Sequence, residues 1–269
     1  MGECGADRGG CRSLIRPLRG RCGPGLARLV DALASIVLAP SCAACDELLE
    51  HPTRGPVCER CWQSIRPLTP PICDRCGDAL PTWRTVSTAL ACCPRCRRSA
   101  RAIDRARAIG RYDGALRSVI HALKYEGRRA LARPIAAMMV RRGADVLDGA
   151  ACVVPVPLHI SRRRQRGFNQ AHDLARHIGL PVIDALRRVH ATPTQTGLSA
   201  AKRRRNVRDA FALTRAGSAL TGLTVVLIDD VTTTGATLDA CARVLKDAGV
   251  KDVRALTAAR VVRSVSNSM

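Results

Sequence analysis

The sequence predicts an α/β protein in which a domain built on a parallel sheet follows a small cysteine-knuckle module. Three observations carry this expectation. Near the C-terminus the apolar run Val225-Val226-Leu227-Ile228 meets two acids, Asp229 and Asp230, then a small hydroxylated loop, then a stretch of helical periodicity. A short apolar run bounded by turn signals is the pattern of a buried parallel strand. Upstream, four CxxC pairs follow one another closely, at Cys42/Cys45, Cys58/Cys61, Cys73/Cys76 and Cys93/Cys96. From residue 106 onward, strand-like and helix-like segments alternate, as parallel sheets require. The chain of 269 residues is 46% hydrophobic, enough for a core, and no apolar run approaches the length that crosses a bilayer, so no membrane insertion is expected.

Residues 1–25 carry Gly, Arg and the unpaired Cys4, Cys11 and Cys22 without periodicity, and read as a disordered or mis-assigned extension. Residues 26–100 are the expected module. Its first segment places Leu26, Leu29, Val30, Leu33 and Val37 at helical spacing, which predicts a short amphipathic helix leading into the first knuckle. Each CxxC knuckle presents two thiolates to one face of a tetrahedral zinc, and two knuckles complete the four ligands, so four knuckles suit two structural ions. Sequential pairing assigns Cys42, Cys45, Cys58 and Cys61 to one ion and Cys73, Cys76, Cys93 and Cys96 to the other. Interleaved pairing and single occupancy are the alternatives, and iron–sulfur or redox roles compete for the same thiols. Only Cys93 keeps the two-residue gap to Cys96, which leaves Cys92 as a spare thiol. The stretch is Pro-rich and poor in large apolar side chains, so ligation has to supply folding free energy that burial does not. A disulfide framework would need an oxidising compartment, and the apolar stretch from Leu26 to Pro40 carries Arg28 and Asp31, unlike a signal peptide. A cytoplasmic location is expected.

A seam at Ser99 to Asp104 leaves residues 101–269 for the α/β domain, a natural division of the chain into about 60 and about 165 ordered residues. Ala106 to Tyr112 reads as the first strand. A helix follows from about Gly114, with Leu116, Val119, Ile120 and Leu123 on one face and Lys124 at its far end. There Lys124 either complements the helix dipole or reaches a phosphate. A second helical stretch holds Leu131, Ile135, Met138 and Met139, and Cys152 to Leu158 reads as a strand ending in a Pro-rigidified turn at Pro155-Val156-Pro157. Arg162, Arg163, Arg164 and Arg166 lie just beyond that strand end. Cys152 and Cys241 sit in apolar contexts as core residues.

After the strand at residues 225–228, Thr233-Thr234-Gly235-Ala236-Thr237 opens a helix running to Ala248 with Leu238, Cys241, Ala242 and Leu245 on its apolar face, and Gly249 stops it. A loop at the carboxyl end of a parallel strand, entering a helix N-terminus, offers unpaired N–H groups and a positive dipole end to an anion. Carboxylates beside a phosphate repel it unless they face neutral hydroxyls or a divalent cation, and a sugar diol with magnesium supplies both.

This arrangement resembles the phosphoribosyl pyrophosphate motif of type I phosphoribosyltransferases. What that resemblance implies is that Asp229 and Asp230 hold the ribose hydroxyls and that the loop Thr233, Thr234, Gly235, Ala236 and Thr237 holds the 5-phosphate. A pyrophosphate side then falls to Pro155, Val156 and Pro157, with Arg162 and Arg166, and with Lys124 on its phosphate-contacting reading. The polar, basic segment from Thr194 to Arg208 suits a hood that excludes water, with Gln195, Arg203 and Asn206 as polar contacts. Six phrases narrow the resemblance to the competence-associated ComF-like proteins, which join a cysteine-knuckle module to such a domain. They are His121-Ala-Leu-Lys124-Tyr125, Pro155-Val-Pro157-Leu158, Arg166-Gly167-Phe168-Asn169-Gln170, Gln195-Thr-Gly-Leu198-Ser199, Arg203-Arg-Arg-Asn206 and Asp229 to Thr237. The family implies a doubly wound parallel sheet, phosphoribosyl pyrophosphate bound with magnesium, and a link to DNA uptake in natural competence. Transfer to an acceptor that the sequence does not specify, by substitution at ribose C1 with loss of pyrophosphate, is the activity it implies. The extension before Leu26 and the doubled Cys92-Cys93 depart from its pattern.

The charge balance supplies a second reading. The chain holds 44 basic and 22 acidic residues, a net charge of +22, clustered at Arg95–Arg107, Arg162–Arg166 and Lys202–Arg208. Single-stranded DNA, alone or with a DNA-translocating competence partner, is the polyanion expected of such clusters, and the fold would then keep its phosphate pocket without turnover. Only four of the basic residues are Lys and only six residues are aromatic, so contact would run along the backbone and be salt-sensitive rather than base-selective.

Overall fold

The structure is a computed structural model that describes residues 40–80, 92–99, 101–189 and 210–262. The extension at 1–25, the helix expected from Leu26 to Val37 and the hood residues Gln195, Arg203 and Asn206 lie outside the described residues.

Residues 40–80 and 92–99 form two copies of one small ribbon, a repeat that residue spacing alone had obscured. In each copy a knuckle turns a short hairpin: Ser41 bridges Leu48, and Ile72 bridges Ala79. Cys42 N–H donates to Glu47 O in the first copy and Cys73 N–H donates to Asp78 O in the second, at 2.8 and 2.7 Å. The residue after the second cysteine takes positive φ in both, 60° at Asp46 and 69° at Gly77. Each copy closes with a one-turn helix that starts directly after a cysteine, α1 at Glu59–Gln63 after Cys58 and α2 at Pro94–Arg98 after Cys93.

In the α/β domain, β1 (Arg105–Arg111), β2 (Cys152–Pro155), β5 (Thr224–Thr232) and β6 (Asp252–Arg260) form one parallel sheet in the order β1-β6-β5-β2. Beside it β3 (Leu186–Arg188) and β4 (Phe211–Leu213) make a separate antiparallel pair. The connections carry α3 (Gly114–Tyr125), α4 (Ala132–Arg142), α5 (Ala144–Leu147), α6 (Ile160–Arg166), α7 (Gln170–Ala175) and α8 (Ala236–Asp247). Helices cover both faces, as expected of a doubly wound sheet. Along β5, Val226 and Ile228 join the core beneath α3, α4 and α7, whereas Val225 and Leu227 join the core beneath α8. The two-residue period of a strand sends neighbours to opposite faces, so a strand buried on both sides reads as an unbroken apolar run.

The elements agree with the sequence reading in kind and differ at their ends. The strand ahead of the loop does not stop at Ile228 but runs through both acids to Thr232, because its ladder to β6 continues with Asp229 opposite Thr257 and Thr232 opposite Arg260. Conversely, β2 ends at Pro155, three residues before the expected end. The arginines expected just beyond that strand end lie on α6, which the His159 side chain caps by accepting from Ser161 N–H at 3.2 Å and which Gly167 ends at φ 77°.

The ribbons are built into the domain. Leu49, Val57, Cys61 and Ile65 share a core with Ile109, Leu116 and Ile120, so these side chains of the first ribbon are buried against the neighbouring domain. The segment after the first ribbon lies along the outer edge of β1: Pro67 bridges Gly110, Arg111 N–H donates to Arg66 O at 3.0 Å, and Leu68 N–H donates to Ile109 O at 3.5 Å. Gly110 is required there, since a Cβ would lie 2.5 Å from Arg66 O.

Candidate functional site

The carboxyl end of β5 is where the sequence-predicted residues converge. Asp230 is buried, and its Oδ1 lies 2.8 Å from Lys124 Nζ, whose side chain is 13% exposed. Lys124 at the end of α3 thus neither extends into solvent nor only complements a dipole: it supplies a counter-charge to the acid pair. Burial opposes its charge, but Asp230 more than offsets this and holds the ammonium above the usual lysine range. Asp229 is half-buried and accepts from Asp230 N–H at 2.8 Å. Burial, together with the neighbouring Asp230 charge, pushes its carboxyl up to about 7, against the pull of that N–H and of Lys124.

Two strands set the rest. Pro155 pairs with Ile228 across the β2–β5 ladder, and Val156 N–H donates to Ile228 O at 2.9 Å, so the Pro155-Val156-Pro157 turn lies alongside the acids. Asn169 fixes this turn by donating from Nδ2 to Val156 O at 3.1 Å while its Oδ1 caps α7 at Ala171 N–H. Arg162 is half-buried on α6. Arg166 is held in place: its guanidinium lies over the Tyr125 ring at 4.8 Å, donates to Tyr125 OH at 3.1 Å and donates to Gln170 Oε1 at 3.2 Å.

Beyond β5 the chain enters the loop. Thr234 is buried, its Oγ1 accepts from Ala236 N–H at 3.3 Å, and Gly235 takes φ 74° immediately before α8. Gly235 is the residue that flanks the helix, and Thr237, expected in the loop, is already helical. Thr232 Oγ1 is buried with no partner among the described residues. The main-chain oxygen of Thr234 accepts from Arg101 Nη2 at 3.3 Å and Arg95 Nη1 at 3.5 Å. The loop N–H groups, the dipole of α8 and the two acids together form a site for an anion joined to a hydroxylated or cation-bound group.

Three residues here were not assigned to this site by sequence reading. Arg95 and Arg101, in the CPRC knuckle and the seam, were read only as part of the basic cluster Arg95–Arg107. Arg188, on β3, lies over the Phe211 ring at 5.4 Å and within electrostatic reach of Asp229 and Arg162, and burial holds its guanidinium below the usual arginine range. Its place in a short, irregular strand pair gave no periodicity to read.

The cysteines segregate as sequential pairing predicts: Cys42, Cys45, Cys58 and Cys61 form one cluster and Cys73, Cys76, Cys93 and Cys96 the other, with ligand atoms within 4.8 Å of one another. Cys45 and Cys58 sulfurs are 3.9 Å apart, and Cys76 and Cys93 sulfurs 3.7 Å apart. A tetrahedron with Zn–S bonds of about 2.3 Å has edges of about 3.8 Å, so the thiols fit zinc. Main-chain donors favour thiolates: Cys42 Sγ accepts from Ala44 and Cys58 N–H, and Cys73 Sγ accepts from Cys93 N–H. Burial opposes ionisation of Cys42, but these amides prevail and bring it down to about 6. Cys92 stands outside both clusters.

The double zinc ribbon domain family matches residues 33–97, and the phosphoribosyl transferase domain family matches residues 164–266. The chain is 32% identical to "Competence protein F" of Haemophilus influenzae over 178 residues, covering 62% of this chain and 78% of that protein. It is 33% identical to "DNA utilization protein YhgH" of Salmonella typhimurium over 172 residues, 60% of this chain and 74% of that protein. "Competence protein ComFC" of Bacillus subtilis is 38% identical over 97 residues, 36% of this chain and 39% of that protein. Fold, site and both domain matches thus agree on a phosphoribosyltransferase-type protein that carries a double zinc ribbon. Within that class, the chain belongs to the ComF-like family.

Proposed function

We propose that this protein binds phosphoribosyl pyrophosphate with magnesium and acts as a phosphoribosyltransferase. The observation that carries the reading is the acid pair at the carboxyl end of β5, with Asp229 raised to about 7 and Asp230 paired to Lys124, directly ahead of the Thr-Gly loop and α8. Asp229 and Asp230 would hold the ribose hydroxyls and the hydrated cation, and the N–H groups of residues 233–237 the 5-phosphate. The Val156 main chain with Arg162 and Arg188 would face the pyrophosphate, where guanidinium groups stabilise the charge that leaves ribose C1. Magnesium, when bound, neutralises that leaving group. The family names point to a setting in DNA uptake, and two metal-ready thiol quartets suit the reducing cytoplasm. The test is a thermal shift on zinc-loaded protein with phosphoribosyl pyrophosphate and magnesium. Ligand at 100 times its dissociation constant contributes about 2.7 kcal/mol, and hence a clear rise in melting temperature. Asp229→Asn with Asp230→Asn should abolish the rise, and no rise in the parent protein would remove the reading.

A second reading is favoured by the exposed Arg163 and Arg164 on α6 and Arg187 on β3: a non-catalytic accessory module for single-stranded DNA and a DNA-translocating partner. Affinity for single strands that falls steeply with salt, yet ignores the double Asn variant, would support it, whereas pyrophosphate release in the presence of an acceptor supports the enzyme.

A further inference from the structure

The two ribbons repeat one another down to a charged pair. In the first, Arg60 of α1, between the ligands Cys58 and Cys61, pairs with Glu47, and both side chains are exposed, at 68% and 60%. In the second, the equivalent Arg95, between Cys93 and Cys96, pairs with Asp78 at 2.7 Å, and both are half-buried, at 29% and 24% exposure. The difference lies in what surrounds them. Asp78 is also held by Arg260 Nε at 3.1 Å, and Arg260 Nη1 donates to Cys76 O at 2.8 Å, so the last residue of β6 is tied to a metal-ligand knuckle. On its other side Arg95 Nη1 donates to Thr234 O in the loop ahead of α8. Arg101 joins it on the same oxygen, and Ala102 N–H donates to Asp239 Oδ1 in the first turn of α8 at 2.8 Å. A continuous chain of charge-assisted bonds thus runs from Cys76 through Arg260, Asp78 and Arg95 to the main chain of the loop.

We propose that the second cysteine quartet is a working part of the anion site: through Arg95 it holds Thr234 so that the N–H groups of the following residues face a phosphate, and loss of metal from that quartet, not from the first, disables the loop. Arg95 is on this view a positioning residue. The first quartet, whose Arg60–Glu47 pair touches no part of the loop, is an internal control. The inference rests on the phosphate-loop reading above for its ligand, but its mechanical half does not.

Both halves are tested on the full-length, zinc-loaded chain. Hydrogen–deuterium exchange of the amides at 233–237, without ligand, is compared in the parent, Arg95→Ala, Arg95→Lys, Arg60→Ala, Cys93→Ser and Cys58→Ser proteins. Faster exchange there in Arg95→Ala and Cys93→Ser, partial recovery in Arg95→Lys, and parent-like exchange in Arg60→Ala and Cys58→Ser is the expected pattern. Zinc content of Arg95→Ala should equal that of the parent, which keeps its result readable if a cysteine variant fails to fold. Titration with phosphoribosyl pyrophosphate and magnesium should show about tenfold weaker binding for Arg95→Ala, the effect of one lost charge-assisted bond. Unchanged loop exchange in Arg95→Ala overturns the inference whether or not the ligand binds. Altered exchange with no ligand binding in the parent overturns only the functional reading.

Discussion

At the scale of single residues, the proposed chemistry turns on two adjacent carboxylates treated differently by their surroundings. Asp230 has a lysine for a partner; Asp229 accepts from the Asp230 N–H and has its carboxyl raised to about 7. A group whose folded-state value lies above its ordinary value of 3.8 keeps its proton longer in the folded protein than in the unfolded chain. Its contribution therefore favours folding at low pH and is lost as pH rises from about 4 through 7. Asp229→Asn should accordingly raise stability at pH 8, by on the order of 2 kcal/mol, and change little at pH 4, as urea denaturation at the two pH values will show. A bound cation prefers the ionised acid, so affinity for the magnesium-bound ligand should climb up to about pH 7 and level off beyond it. The acids themselves were legible in the sequence because no structural need explains two of them at the end of an apolar strand. Lys124's role was not: helix spacing shows where a side chain leaves its helix but not which neighbouring strand end it meets.

At the scale of elements, the apolar runs and helical stripes placed β1, β2, β5, α3, α4 and α8 in advance, since a strand buried on both faces and an amphipathic helix each leave a periodic trace. Their ends were less legible. Asp229 to Thr232 look like a loop by composition, yet belong to β5 because β6 supplies ladder partners for Asp229, Val231 and Thr232, a long-range cause that no local window contains. The short β3 and β4, three residues each, carry too few positions for a period to register. Of the loop residues, Gly235 is the one whose backbone dictates its identity. Its φ of 74° disfavours any side chain, and a Cβ would lie 3.0 Å from Arg101 Nη1. Gly235→Ala should cost about 1–2 kcal/mol in chemical denaturation and weaken phosphate binding in the same titration, because relief of either contact moves the loop.

At the scale of the whole molecule, the ribbons and the sheet act as one body. The sequence indicated two units, a reading that the cysteine spacing and the change in composition support, but it did not show that Leu49, Val57 and Ile65 of the first ribbon would fill the same core as Ile109 and Leu116. Contacts across such a seam depend on side chains far apart in the chain. Elemental analysis of freshly reduced protein should find about two zinc ions per chain, one for each Cys4 site. Stripping them with a chelator should lower the melting temperature of the entire molecule in one calorimetric transition, since unligated ribbons would withdraw part of the shared core. A separate, unshifted transition for the α/β domain would count against this coupling.

The strip of chain at residues 66–68 along the rim of β1 has a practical corollary. Cutting the protein at the seam to isolate the α/β half would bare a row of peptide groups on a terminal strand, an invitation to pair with another copy. Such a fragment should run as higher-order species on a sizing column, and its behaviour would say little about the intact chain.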